Sequence, residues 1–324
     1  MAMRTSIRTL AAAALLLTWA AGANAADEFP ARPLTFIVSF SAGGVADTAA
    51  RLVAASLQQR LGQSVIVENR PGAGGDVAAG VVARAAPDGY TVLFTTTAFA
   101  VNLSMQKSKQ FSAGDFRTVA FVASSPEALA VNANSPIHTL SDLVNAAKAK
   151  PINFGTAGVG TSPHMMAEYF FKNVAKVPAV HIPYQGGAPA TSALLGNQID
   201  VLSAIVGGGV ASQIKSGKLR GIALADTKRT PTLPDIPTFA ESGYQGMTFV
   251  DWVGVFAPAK TPTDVIAKLN KEIGAVLKEP AIISKLESLG FAPMSGGPAE
   301  AQKEFDSDLA KWKHLVTSLD LTLK

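Results

Sequence analysis

The chain has 324 residues, with 28 Lys and Arg against 24 Asp and Glu, and no cysteine. Hydrophobic residues make up 48% and charged residues 16%, so a large core is available and a disordered chain is excluded. At roughly 100–200 residues per domain, the length suggests about two domains. The lack of cysteine excludes a disulfide scaffold, cysteine–zinc sites, iron–sulfur clusters and thiol nucleophiles. His138, His164, His181 and His314 are scattered and leave little for a metal site, and no cofactor is expected. Once Arg4 and Arg8 are set aside, 26 basic residues face 24 acidic ones with no basic run, which argues against a nucleic-acid partner.

Residues 1–25 read as a secretory signal peptide: Arg4 and Arg8, an apolar run over Leu10–Ala21, and Ala23-Asn24-Ala25 before a cleavage point. The run is too short for a stable membrane anchor. The mature chain is expected to be soluble and periplasmic.

Leu34–Phe40 predicts a buried strand, broken by Ser41-Ala42-Gly43-Gly44. A helix follows from about Asp47, with Ala49, Leu52, Val53, Ser56 and Leu57 on one face and Gly62 as its stop. Val65–Val67 is a strand, Asn69–Gly75 a loop, Val77–Ala86 a helix and Thr91–Thr95 a third strand. The middle repeats this alternation: strands at Ala128–Val131, Ile152–Gly155, Val180–Ile182, Val201–Ile205 and Leu219–Leu224, with helices at Leu140–Lys148, from about Ser162, and at Pro189–Leu195. Trp252–Ala257 is another buried strand. Val265, Ile266, Leu269, Ile273 and Leu277 mark one late helix, and Phe305, Leu309, Trp312, Val316 and Leu319 the last. The pattern predicts an α/β protein of two lobes, each a mostly parallel sheet flanked by helices. Such sheets bind ligands at the carboxyl ends of their strands, here in a cleft between the lobes.

Two loops stand at those ends. Phe40–Asp47 opens a helix after the first strand, and Gly155–His164 does the same after the strand at Ile152. Glycines let main-chain N–H groups face a ligand, and a helix start adds partial positive charge, so an anion can be held without a cationic side chain. Each loop alone can equally be a tight strand-to-helix turn, and Asp47 can be either a helix-start residue or a ligand contact. Asn69–Gly75 reads as a structural loop, with Arg70 paired to Glu68 or a carbonyl. Phosphate-loop, dinucleotide and hydrolase-elbow motifs are all missing. Ser162 and His164 near one helix start have no nominated acid partner. Phe40, Phe99, Tyr184, Ile205 and Trp252 are aromatic or apolar cleft candidates.

The ordered segments FPARPLTFIVSFSAGGVADTAARLVA, GQSVIVENRPGAGG, AAPDGYTVLF, FGTAGVGTSPHMMAEYF, IPYQGGAPATSALLGNQIDV, KRTPTLPDIPTFAESGY and VGVFAPAKTP resemble the Bug receptors, the periplasmic solute-binding component of tripartite tricarboxylate transporters. The resemblance spans almost the whole mature chain. It implies a type II-like periplasmic binding protein, with lobe 1 over 26–130 and 250–324 and lobe 2 over 131–249. It also implies that the loops Phe40–Asp47 and Gly155–His164 grip a ligand carboxylate through main-chain N–H groups and water. Many members carry a polar residue where this chain has Thr97-Ala98-Phe99 and where it has Ala204-Ile205, so a ligand with little polarity beyond its carboxylates is expected.

The expected ligand-binding set is therefore Phe40, Ala42, Gly43, Gly44, Asp47, Thr97, Phe99, Thr156, Ala157, Gly160, Thr161, Ser162, His164, Tyr184, Ala204 and Trp252, with no catalytic or metal residue. Gly43, Gly44, Gly158 and Gly160 are expected to admit main-chain donors, and Phe99 or Trp252 to stack on an aromatic mono- or dicarboxylate. The partners implied are that small carboxylate and the membrane subunits of a tripartite transporter, the receptor itself being a monomer. The rival readings are a sensory receptor for the same ligands and a periplasmic hydrolase using Ser162 and His164.

Overall fold

The structure, a computed structural model, describes residues 29–105 and 110–318. The predicted leader and Leu319 lie outside the described residues. The apolar run at Leu34 forms β1 (Leu34–Val38), hydrogen-bonded in parallel to β2 (Val65–Asn69) and β3 (Thr91–Thr96). Between β1 and β2 runs α1 (Val45–Leu61), whose Ala49, Ala50, Val53 and Leu57 are fully buried. Gly62 ends α1 in a left-handed conformation (φ 65°), its N–H donating to the Gln58 carbonyl, a geometry that favours glycine. Next come α2 (Asp76–Ala83) before β3, and α3 (Ala98–Met105) after it.

β4 (Phe116–Asn132) is the longest strand and joins the lobes. Its first part, to Pro126, pairs antiparallel with β9 (Val250–Pro258). From Glu127 onward it pairs instead with β7 (Val201–Ile205) and β8 (Leu219–Leu224). The switch falls at Pro126, which has no N–H to give a ladder, while its carbonyl accepts from Val206 at 2.9 Å. The chain crosses again where Phe249 bonds both Glu127 and Ala225 before β9 begins.

After β4 come α4 (Leu140–Ala149), β5 (Ile152–Thr156), α5 (Ser162–Glu168), which passes into a π-helical turn at Tyr169–Val174, β6 (Ala179–Pro183), α6 (Gly187–Leu195) and, between β7 and β8, α7 (Gly209–Lys215). The chain ends with β9, α8 (Thr263–Val276), α9 (Pro280–Ser288), β10 (Ala292–Pro293) and α10 (Pro298–Ser318). The hydrogen-bonded order is β2-β1-β3-β9-β4-β7-β5-β6, with β8 and β10 also on β4. The sheet is thus mixed: its outer strands are parallel, and the antiparallel pairs gather at β4 and β9. A chain that crosses between lobes twice, in opposite directions, brings its two connecting strands together antiparallel.

Val265, Ile266, Leu269 and Ile273 of α8 are buried against the first sheet, as their spacing predicts. α10 packs on α3 and β4. Its Phe305 enters an aromatic core, stacking on Phe99 with centroids 5.6 Å apart, while Phe99 also meets Phe116 and Phe256 edge-on at 5.0 Å. Trp252 joins the same core through Phe121, Phe256 and Phe305, and its Nε1 donates to Asp308 at 2.8 Å. Phe99 and Trp252 are core residues, a correction to their expected place beside a ligand. The aromatic neighbours supply a larger apolar contact than a cleft wall does. Among the described residues no helix is long and apolar enough to cross a membrane.

Truncating Phe99 to alanine should lower the unfolding free energy by about 3–5 kcal/mol in urea titrations, because it empties a ring-sized space in a dry core. The same variant should retain wild-type ligand affinity, since the ring does not line the cavity described below.

Candidate functional site

A cavity of about 220 Å³ lies between the lobes. Its walls come from the loop after β1 (Phe40, Gly43, Gly44, Val45), the end of β3 (Thr96), the loop after β5 (Ala157, Thr161, Pro163), the start and body of α6 (Gly187, Ala188, Thr191, Ser192, Leu195), the end of β7 (Ala204, Ile205) and the entry to α7 (Gly207, Gly209, Val210, Gln213). None of these residues is charged. Four helices, α1, α5, α6 and α7, begin at this cavity. The first N–H groups of a helix have no intrahelical acceptor and carry its partial positive charge. The cavity therefore offers donors and positive potential without Lys or Arg. Phe40, Ala157, Leu195, Ala204, Ile205 and Val210 supply apolar wall.

Both predicted loops line this cavity. The first one touches the start of α6: a Cβ on Gly43 would sit 3.8 Å from Ala188 Cβ, and one on Gly186 would collide with Ser41 Oγ. Gly186, before α6, also has φ 136°, so it needs glycine both for its backbone and for the approach of the opposite lobe.

The glycine amides themselves are engaged within their loops, which corrects the expectation that they face a ligand. Gly43 N–H donates to Asp47 Oδ2 at 2.9 Å, and Gly44 N–H to the Ser41 carbonyl at 3.2 Å. Gly158 N–H donates to Thr156 Oγ1 at 3.2 Å, and Gly160 N–H to His164 Nδ1 at 3.4 Å. Their bonds shape the turns. The donors left for a ligand on the first loop are the N–H groups of the opening turn of α1, which starts at Val45.

Of the sixteen expected residues, Phe40, Gly43, Gly44, Ala157, Thr161 and Ala204 line the cavity. The others stand elsewhere. Ala42 points its small side chain to solvent. Asp47 is buried and orients the first loop, accepting from Gly43 N–H, from Arg51 Nε at 3.0 Å and from Asn69 Nδ2 at 2.9 Å. Burial acts to raise its pKa, but the bonds from Arg51, Gly43 and Asn69 outweigh burial and hold the carboxyl below its usual value. Thr97 Oγ1 accepts from Trp252 N–H at 2.9 Å, locking β3 to β9. Tyr184 lines a neighbouring recess of about 270 Å³, separated from the main cavity by Phe40 and Ala157.

Thr156, Gly160, Ser162 and His164 stand behind the second loop and build it. Thr156 Oγ1 lies 2.7 Å from His181 Nε2, and the His164 and His181 rings stack with centroids 4.1 Å apart. Ser162 Oγ donates to Glu127, not to His164. Among the described residues no Ser–His hydrogen bond is found. Among the described residues no group of three His, Asp or Glu side chains could hold a metal ion.

The residues missed from sequence are mainly those of α6 and α7. Both helices follow strands and open on glycines, Gly186-Gly187 and Gly207-Gly208-Gly209, the same arrangement as the two loops that were chosen. That shared arrangement was the available signal.

Residues 49–321 match the family model described as the tripartite tricarboxylate transporter family receptor. The chain belongs to this family. It is 34% identical over 322 residues to the UPF0065 protein in the tcbD-tcbE intergenic region of Pseudomonas sp. (strain P51), covering 97% of this chain and 94% of that one. Among solved structures, the periplasmic binding protein BugD superposes with a TM-score of 0.87 at 32% identity, covering 91% of this chain and all of that chain. R. palustris Rpa4515 with adipate superposes with a TM-score of 0.86 at 30% identity, covering 90% of this chain and 99% of that one. The two-lobed receptor fold is that of these relatives.

Burial, more than any neighbouring charge, lowers the pKa of His164 to about 4 and of His181 to about 3. Both are neutral in the folded chain at pH values where the unfolded chain is protonated. The unfolded state then binds more protons, so their stabilisation is complete above about 6.5 and falls as the pH drops toward the folded values. Unfolding titrations should show a loss of about 1.4 kcal/mol per histidine for each pH unit below about 6.5. His181→Gln should make that decline shallower.

Proposed function

We propose that this receptor captures a small carboxylate with an apolar body, aromatic in preference to hydroxylated or amino-substituted, and delivers it to the membrane subunits of a tripartite transporter. The observation that carries this reading is the uncharged cavity at which four helices begin. A carboxylate placed there would accept from helix-start N–H groups and from bound water, which can bridge nearly as well as a direct contact. The rest of the ligand would meet Phe40, Ala204, Ile205, Leu195 and Val210, where an ammonium or hydroxyl would lose its hydration unless it reached the few polar side chains of the lining, Thr96, Thr161, Thr191, Ser192 and Gln213. Phe40 is the ring available to an aromatic ligand in this cavity, in place of Phe99 or Trp252.

In this reading the lobes are residues 26–130 with 250–324, and residues 131–249. They close on the ligand about the crossing strands, and the monomeric closed form is what the membrane subunits recognise. In the same reading residues 1–25 are a cleaved leader and the mature chain works in the periplasm. The adipate bound to the R. palustris neighbour, a carboxylate with an apolar middle, fits the same expectation.

A thermal-shift series with benzoate, adipate, malate and aspartate tests the ligand class. Benzoate and adipate should raise the midpoint, with stabilisation of about 2.7 kcal/mol when ligand reaches a hundredfold excess over its Kd. Stabilisation by aspartate or malate alone would refute the apolar-body reading. Gly187→Leu adds a side chain at the cavity wall where an added Cβ meets nothing within 4 Å, so it should keep the fold and weaken binding in calorimetry at least about tenfold.

A further inference from the structure

Behind the cavity, where the chain crosses between the lobes, two carboxyl groups are buried with few donors around them. Glu127 is fully buried at the residue where β4 leaves β9, and its N–H donates to the Phe249 carbonyl at 3.0 Å. Asp251, near the start of β9, is 2% exposed. Glu127 Oε1 accepts from the hydroxyl of Ser162, the first residue of α5. Glu127 Oε2 and both Asp251 oxygens have no fixed donor among the described residues.

The groups acting on the pair come from several elements. Thr97 after β3 and Ser162 on α5 bring hydroxyls that favour a charged Asp251, and Asp308 on α10 brings a negative charge that opposes it. Asp308 is itself held by Trp252 Nε1 at 2.8 Å and Trp312 Nε1 at 3.1 Å, with Lys311 Nζ at 3.8 Å. The recess that Asp251 lines also carries Glu300, Lys303, Glu304 and Lys311 of α10, but the largest influences on Glu127 and Asp251 are burial, hydroxyls and other carboxyl groups. Two ionised carboxylates in such a place would be very costly, and a single proton held between them removes most of the cost. Burial first, and the Asp251 charge second, push Glu127 well above the carboxylate range, while burial raises Asp251 to about 6 against the hydrogen bond from Glu127. Asp251 pairs with Ser125 while Glu127 bonds Phe249, so the two carboxyls are diagonal neighbours on adjacent strands, and both shifts favour one proton retained by the pair while Glu127 accepts from Ser162.

We propose that Glu127 is a positioning residue: through a proton shared with Asp251 it fixes Ser162, and so holds the second glycine loop in its ligand-binding position. When that proton passes to bulk water, two like charges face each other in a dry site. They separate or admit water, Ser162 loses its fixed acceptor, and the loop that carries Ala157 and Thr161 into the cavity loosens. Ligand affinity is thereby linked to one proton bound outside the cavity. The ligand part of this proposal rests on the carboxylate-receptor reading; the shared proton does not.

Three measurements on the full chain test it. In infrared spectra of ligand-free protein recorded over a rising pH series, a protonated-carboxyl stretch should persist above the ordinary carboxylate range and should vanish in Glu127→Gln. Hydrogen exchange of residues 155–164 should be alike in the two proteins at about pH 6. At about pH 9.5 it should be about tenfold faster in wild type, because the glutamine amide keeps both bonds without a titratable proton. Titrated with adipate, wild type should lose about tenfold in affinity across that range and Glu127→Gln less than about twofold. Should Glu127→Gln fail to fold, Asp251→Asn, which removes the second charge, should flatten the same exchange and affinity profiles. Absence of the infrared band in wild type, or identical exchange profiles in wild type and variant, would overturn the proposal. If adipate binds neither protein, it is the ligand reading that fails, and infrared and exchange still decide the shared proton.

Discussion

Four helices starting at one cavity impose the constraint from which the rest of the architecture follows. A helix start leaves N–H groups that its own turns cannot satisfy. When several are aimed at one space, that space must hold water or an anion. Charged side chains would be redundant there, and the lining contains none. The strands that deliver these helices must end together, β1 on one side and β5, β6 and β7 on the other, and the two halves of the sheet meet on β4, which pairs with β9 in its first part and with β7 and β8 in its second. Close approach then requires a residue without a Cβ at Gly186, while Gly43 is required by its left-handed backbone, φ 76°. What resembles a catalogue of glycines is the consequence of one electrostatic arrangement.

Much of this was legible in the sequence because local signals agreed. β7 and β8 have the predicted bounds, Val201–Ile205 and Leu219–Leu224, since short apolar runs between polar turns admit few alternatives. The start of β4 was hidden because Ser124-Ser125-Pro126 reads as a turn, whereas in the structure it is where one strand changes partners. α3 was hidden because it is buried nearly all round and has no polar face to set a period. In the site, the sequence located the loops but not the direction of each side chain. Asp47, Thr156 and His164 look like ligand contacts because polar residues in a glycine loop can serve either a guest or the loop itself. Here they serve the loop, and the hydrogen bonds that decide this reach residues 2 to 25 positions away.

The aromatic candidates show the same limit in apolar form. Phe40 and Phe99 both follow a strand, yet one walls the cavity and the other stacks on Phe305 from the far end of the chain. Nothing near Phe99 announces that α10 returns to cover it. The apolar character expected of the ligand chamber survives this change, because Ala204 and Ile205 do reach the wall.

The second loop is held from behind by two buried polar systems of opposite proton preference. The histidine pair stays neutral, so its stabilisation fails as acid is added and the unfolded chain takes up protons. The carboxyl pair keeps protons that the unfolded chain gives up near its ordinary carboxylate values, so its stabilisation is complete in acid and declines as pH rises through those values, past about 6 for Asp251 and onward while Glu127, raised well above the carboxylate range, still holds its proton. Between roughly 4 and 6 the two slopes have opposite sign and partly cancel. A receptor built on main-chain donors has no cavity charge of its own to titrate. Its sensitivity to pH is therefore set by the groups that hold its loops, and here those groups offset one another across the acidic range where either alone would tilt the balance.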